Sequence, residues 1–211
     1  MPTRSSVPSP SAATPKRANS PWPSSRPRPS QVGAEAMTQD TRTPQPRGIE
    51  HVGLTVPDME AAVRFLRDVF GAEELYALTR KEAAPIGGPE VSAVNGISPT
   101  SVIRDLRMLR LHNGPNLELF EISEVHRPTP TGINDIGLHH FSIYCDDVAA
   151  IAAKARDCGA QLLEGPSPLS SYEAGDGNAI RFIRTPWGML IELIQIPSPG
   201  REIARRWLPS S

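Results

Sequence analysis

His51, Glu118, His140 and Glu192 have the types and spacing to hold a metal ion. Each glutamate stands between apolar neighbours, in NLELF around Glu118 and LIELI around Glu192. An ionised carboxylate inside an apolar strand is costly unless it is paired or bound to metal. Each histidine opens a strand-like stretch, EHVGLTVPD at 50–58 and GLHHFSIYCDD at 137–147, and an aspartate stands seven residues after it. A lone strand histidine is ordinarily structural, and it is the duplication that sets these four apart. Two imidazoles and two carboxylates suit one divalent ion of Fe, Co, Ni, Mn or Zn and disfavour thiolate chemistry. Two side chains compete for the ligand positions. His139 adjoins His140 but by parity belongs to the apolar row, and Glu121 lies near Glu118 but does not match Glu192 in the repeat. His112 and His126 fall in turns and are expected at the surface.

The positioning elements follow from alternation along a strand. Val52, Leu54 and Val56 form one row against His51, Gly53 and Thr55; Phe141, Ile143 and Cys145 form one against His140, Ser142 and Tyr144. After the first stretch, Asp58 is a helix N-cap, apolar residues from Met59 to Phe70 recur at helical spacing, and Gly71 is a stop. The second half repeats this with Asp146-Asp147, Val148, Ile151, Ala155 and Cys158, then Gly159. FGAEEL at 70–75 matches CGAQLL at 158–163.

A strand at 75–79, a hairpin of 106–111 and 116–122 through HNGP, and a hairpin of 178–184 and 189–196 through TPWG complete the two halves. Gly/Pro/Ser-rich loops at 81–103 and 165–177 read as lids or binding loops. Each half is strand, helix and three strands. Neither closes a core alone, so the halves are expected to pair their sheets. The fold class is α+β, two paired βαβββ modules at 47–124 and 137–197 joined by a linker at 125–136.

Residues 1–46 carry ten of the 23 prolines and few large apolar side chains, too little buried surface to offset the entropy of ordering. They are expected to be a disordered tail, and residues 198–211 are read as a C-terminal tail. The front tail is +4 and the remainder −5, with its basic residues scattered. That describes a solvated extension better than a nucleic-acid or membrane partner. Met37 opens a shorter alternative start. No apolar run suits a signal peptide or membrane span, so the cytoplasm is the expected compartment. Cys145 and Cys158 make no metal or disulfide motif by spacing.

HVGLTVPD with its helix, NLELFE, HHFSIYCDD and TPWGMLIELI resemble the vicinal oxygen chelate superfamily, over about residues 48–197. It includes glyoxalase I, methylmalonyl-CoA epimerase, extradiol dioxygenases and the bleomycin- and fosfomycin-resistance proteins. The resemblance implies the glyoxalase-like fold, whose curved sheets cup a divalent metal at positions falling on His51, Glu118, His140 and Glu192. It also implies a homodimer, a small-molecule substrate, and Glu118 or Glu192 as the base that removes a proton next to a carbonyl. Module pairing can be swapped between copies, so the ligands come from one chain or from two. GPNLELFE and TPWGMLIEL most resemble the 2-epi-5-epi-valiolone epimerase-like group, which suggests a cyclitol-type hydroxy-ketone.

The implied function is therefore a metal-dependent isomerase or epimerase. The alternatives are a glyoxalase-type lyase, an extradiol dioxygenase and a non-catalytic drug-binding protein. Residues 165–185 lack the histidine of the dioxygenase signature, Phe182 stands where that signature has tyrosine, and aromatics are few for a drug groove. Candidate substrate contacts are Tyr144, Arg107 or Arg110 (against a solvated strand face), and Tyr172 with Glu173 as lid residues.

Overall fold

The computed structural model describes residues 48–125 and 129–198. The front tail, nearly all of the rear one and His126 therefore lie outside the described residues. The chain runs β1 (His51–Thr55), α1 (Met59–Phe70), β2 (Glu73–Thr79), β3 (Ile86–Gly87), α2 (Pro89–Asn95), β4 (Val102–Arg110) and β5 (Asn116–Ile122). It then repeats as β6 (His140–Tyr144), α3 (Val148–Asp157), β7 (Gln161–Leu162), β8 (Ser167–Pro168), β9 (Ala179–Arg184) and β10 (Leu190–Gln195). Among the described residues no helix is long and apolar enough to cross a membrane.

Both long helices begin on the expected caps. Asp58 accepts from the Ala61 N–H at 2.8 Å and Asp147 from the Ala150 N–H at 2.9 Å. Gly71 ends α1 in the left-handed region at φ 70°, where a side chain would also crowd the His112 ring. His112 in turn donates from Nε2 to the Phe70 carbonyl at 2.8 Å.

A second cap comes from the last strand of each half. Glu121 accepts from the Met59 N–H at 2.7 Å, and Gln195 accepts from the Val148 N–H at 2.8 Å. Glu121 also pairs with Lys81 at 2.8 Å, so this carboxylate is occupied at a helix N-terminus and is not a metal candidate. Asp58→Ala is expected to cost about 1 kcal/mol of stability, read by urea denaturation.

The strands form two five-stranded sheets, β1-β5-β4-β2 with β3 beside β4, and β6-β10-β9-β7 with β8 beside β9. In each, the first strand lies parallel to the last. That brings the histidine-bearing and glutamate-bearing strands side by side. The halves meet through their helices rather than by joining sheets: α1 packs on α3, and Phe65 meets Trp187 edge to face at 5.6 Å.

One core runs through both halves, from Met59, Leu66, Leu117 and Leu119 to Val148, Ile183, Ile191 and Leu193. Each of its fully buried large side chains contributes about 2 kcal/mol. The layers are thus sheet, helix, helix, sheet. The helix-covered faces turn inward, and the faces that carry the histidines and their partner glutamates turn outward.

Besides the pairing of the sheets, which contacts between the helices replace, two expectations change. The loop at 81–103 contains β3 and α2, and β4 begins within its end. Seven residues are too few to show a helical period, although Pro89 at the first turn and Gly96 at the cap mark the ends. Arg107 is neither solvated nor a ligand contact. It is buried on the helix side, bonded to Asp105 at 2.8 and 2.9 Å, to Glu60, and to Glu74 at 3.4 Å. Arg110 lies in an exposed pair with Glu73. Arg107→Met strands the fully buried Asp105 carboxylate, and its expected cost is about 3 kcal/mol in the same measurement.

Candidate metal and proton-transfer site

On the outward face of the first sheet, His51 Nε2 stands 3.3 Å from Glu118 Oε2. On that of the second, His140 Nε2 stands 3.8 Å from Glu192 Oε2. The two pairs have the same register: His51 ladders with Asn116 and His140 with Leu190, each two residues before its glutamate. Parallel pairing of first and last strands dictates this diagonal. The four residues are thus brought together two and two within one chain. Among the described residues, no three His, Cys, Asp or Glu side chains come together as a metal site.

Both pairs fit a metal in chemistry, and the first also fits in spacing. Two ligand atoms each about 2.1 Å from one ion, at right or tetrahedral angles, lie about 3.0–3.4 Å apart. The first pair has that separation and the second is slightly wider. Glu118 and Glu192 are largely covered, with side chains 20% and 17% exposed, and among the described residues neither meets a lysine or arginine within ion-pair distance. Burial pushes the Glu118 carboxyl above the usual range, the nearby His51 draws it back, and Glu50 pushes it up again. His51 is raised by its 2.5 Å hydrogen bond to Glu50, against burial and with attraction from Glu118. Glu192 accepts from the Ser142 hydroxyl.

The other sequence candidates separate cleanly. His139 does not join the apolar row, because β6 begins only at His140; its Nδ1 lies 2.6 Å from Nδ1 of His140. Tyr144 donates its hydroxyl to the Ile196 carbonyl at 2.9 Å. Tyr172 and Glu173 lie on a short 3-10 turn, with Tyr172 exposed. Phe182 faces the second pair, its ring edge-on to His140 at 5.2 Å. Both cysteines are free, and burial pushes the Cys145 thiol up to about 11, too high for a thiolate at neutral pH. Sequence reading missed Glu50 as the residue that orients His51, since a glutamate ahead of a strand carries no signal of its own.

A family model described as the glyoxalase/bleomycin resistance protein/dioxygenase superfamily matches residues 50–180. The chain belongs to that superfamily. It is 35% identical over 153 residues to a 2-epi-5-epi-valiolone epimerase of an Actinomyces species, covering 71% of this chain and 80% of the relative. It is 25% identical over 151 residues to an ethylmalonyl-CoA/methylmalonyl-CoA epimerase of Cereibacter sphaeroides, covering 70% of this chain and 97% of the relative. In fold it resembles a crystal structure of a glyoxalase family protein from Bacillus cereus, with a TM-score of 0.58 at 16% identity over 76% of this chain and 98% of that one.

Proposed function

We propose that this superfamily member is a divalent-metal epimerase acting beside a carbonyl, its site closed by two copies of the chain. One observation carries the reading: the same His–Glu diagonal, at the same register, on the outward face of each sheet. Each face supplies half of the expected ligand set, and a homodimer unites His51 and Glu118 of one copy with His140 and Glu192 of the other. Two relatives named as epimerases support the reaction class.

When bound, an ion of the Fe, Co, Ni, Mn or Zn type supplies positive charge that polarises the carbonyl and acidifies the adjoining C–H bond. The two carboxylates then divide the proton work. Glu118, whose carboxyl burial has made more basic, takes the proton onto Oε2. Glu192 stands on the opposite wall, placed to relay a proton back to the other face of the carbon. The configuration inverts and no atom or electron is gained. Glu50 holds His51 in place, while Phe120 and Phe182 line the same faces as the two carboxylates and limit water.

The test combines metal analysis with hydrogen exchange in D₂O. Purified protein supplied with Mn²⁺, Co²⁺ or Zn²⁺ is expected to retain the ion and to wash deuterium in beside the carbonyl of an α-hydroxy-ketone. Protein that retains none of these ions sinks the reading, and oxygen consumption with catechols redirects it to a dioxygenase.

A further inference from the structure

Alternation along β5 puts Phe120 and Ile122 on the face of Glu118, about 7 Å and about 13 Å further along the strand. These two side chains floor a cavity of about 640 Å³ on the outward face of the first sheet. Ile103, which pairs with Ile122 across the ladder to β4, extends the floor. Gly53 lines the near end and ladders directly with Glu118. The cavity therefore starts at the proposed base and runs away from it along the strand.

This lining is ill suited to a ligand rich in hydroxyls. The wall is the segment after α2, and its polar groups bond to one another. The Asn95 side-chain oxygen accepts from the Ile97 N–H at 3.0 Å, and the Ser98 and Thr100 hydroxyls meet at 2.9 Å. Glu124 accepts from the Thr100 hydroxyl at 3.1 Å. Among the described residues no lysine or arginine lines the cavity, so a carboxylate or phosphate would enter with nothing to offset its charge. Carbon, by contrast, gains by leaving water for such a floor. Size points the same way, because cavities of this volume enclose ligands of drug-like size. A ketone no larger than hydroxyacetone, held at Glu118, would stop short of Ile122.

We infer that the cavity is a subsite for an apolar substituent, and that the substrate is a carbonyl compound whose alkyl or aryl group lies over Phe120 and Ile122. That chemistry departs from the polyhydroxylated cyclitol that the sequence resemblance suggests. The inference rests on the proposed function for placing the carbonyl at Glu118, but its test is binding rather than turnover. The probes are hydroxyacetone, 1-hydroxy-2-butanone, 1-hydroxy-2-hexanone and 1-hydroxy-2-octanone, each titrated calorimetrically into full-length protein supplied with Mn²⁺. Affinity is expected to rise about threefold with each added methylene. The octanone is also expected to bind at least about tenfold more tightly than 2-keto-myo-inositol, a cyclic ketone that carries hydroxyls instead.

Two variants place the effect in the cavity. Ile122→Trp fills its floor and is expected to level the series, so that the octanone binds no better than hydroxyacetone. Ile97→Lys sets a charge in the wall, away from the packed floor, and is expected to weaken the octanone at least about tenfold. Mn²⁺ content should stay at the wild-type level in both. Equal affinity along the series overturns the inference, as does 2-keto-myo-inositol binding as tightly as the octanone. So does failure of every ketone to bind, or a series that neither variant alters. A gain with chain length in protein that retains no Mn²⁺ instead overturns the epimerase reading and leaves the apolar subsite standing, so the two failures are told apart.

Discussion

Co-expressing a His51→Ala/Glu118→Ala variant with a His140→Ala/Glu192→Ala variant is expected to restore metal binding that neither variant has alone. The expected recovery is about one quarter of the wild-type metal content. Random pairing makes half of the dimers mixed. In a mixed dimer one site has lost all four ligands and the other has kept all four. The arithmetic requires each site to take His51 and Glu118 from one copy and His140 and Glu192 from the other. A site built within a single chain leaves every site damaged, and mixing restores nothing. Metal content is the readout because it needs no substrate, and hydrogen exchange on the same samples should recover in the same proportion. The expectation follows from the layer order: with α1 packed on α3, the two ligand-bearing faces of one chain point away from each other.

How far the sequence could be read depended on whether a feature was local or duplicated. The caps at Asp58 and Asp147, and the strand rows with His51 and His140, were legible because each follows from period and capping chemistry within a few residues. The pairing of Glu118 with His51 and of Glu192 with His140 was legible because the repeat stated it twice.

Relations between distant parts of the chain were not legible. Nothing in the strand rows says that the halves meet through Phe65 and Trp187, which leaves the polar faces outward. Arg107 was ambiguous for a related reason. Its face depended on a register that only β4 and β5 together define, and the structure turns it toward Asp105 and Glu60. The cavity over Phe120 was hidden in the same way, since β5 supplies its floor and the segment after α2 its wall.

Glu118→Gln should lower epimerisation about a thousandfold, since the amide keeps the size of the side chain but cannot carry the proton. Its effect on stability should run the other way, and that contrast separates a catalytic carboxylate from a structural one. Burial holds the Glu118 carboxyl above its ordinary range in the folded protein. Across the window between the ordinary and the raised value, the folded state binds more protons than the unfolded one, so stability falls as pH rises. Above that window the penalty is present in full. Metal-free Glu118→Gln should therefore be more stable than metal-free wild type at neutral pH, and the gain should vanish on acidification below the ordinary glutamate range. Added Mn²⁺ should reverse the order, because an ion that binds the folded state stabilises the protein that holds it more tightly. Denaturation at two pH values, with and without the ion, checks all three signs. A variant less stable than wild type in the metal-free protein at neutral pH would mean that the Glu118 carboxylate is a structural partner of His51. The proton-transfer role would then fall to Glu192 alone.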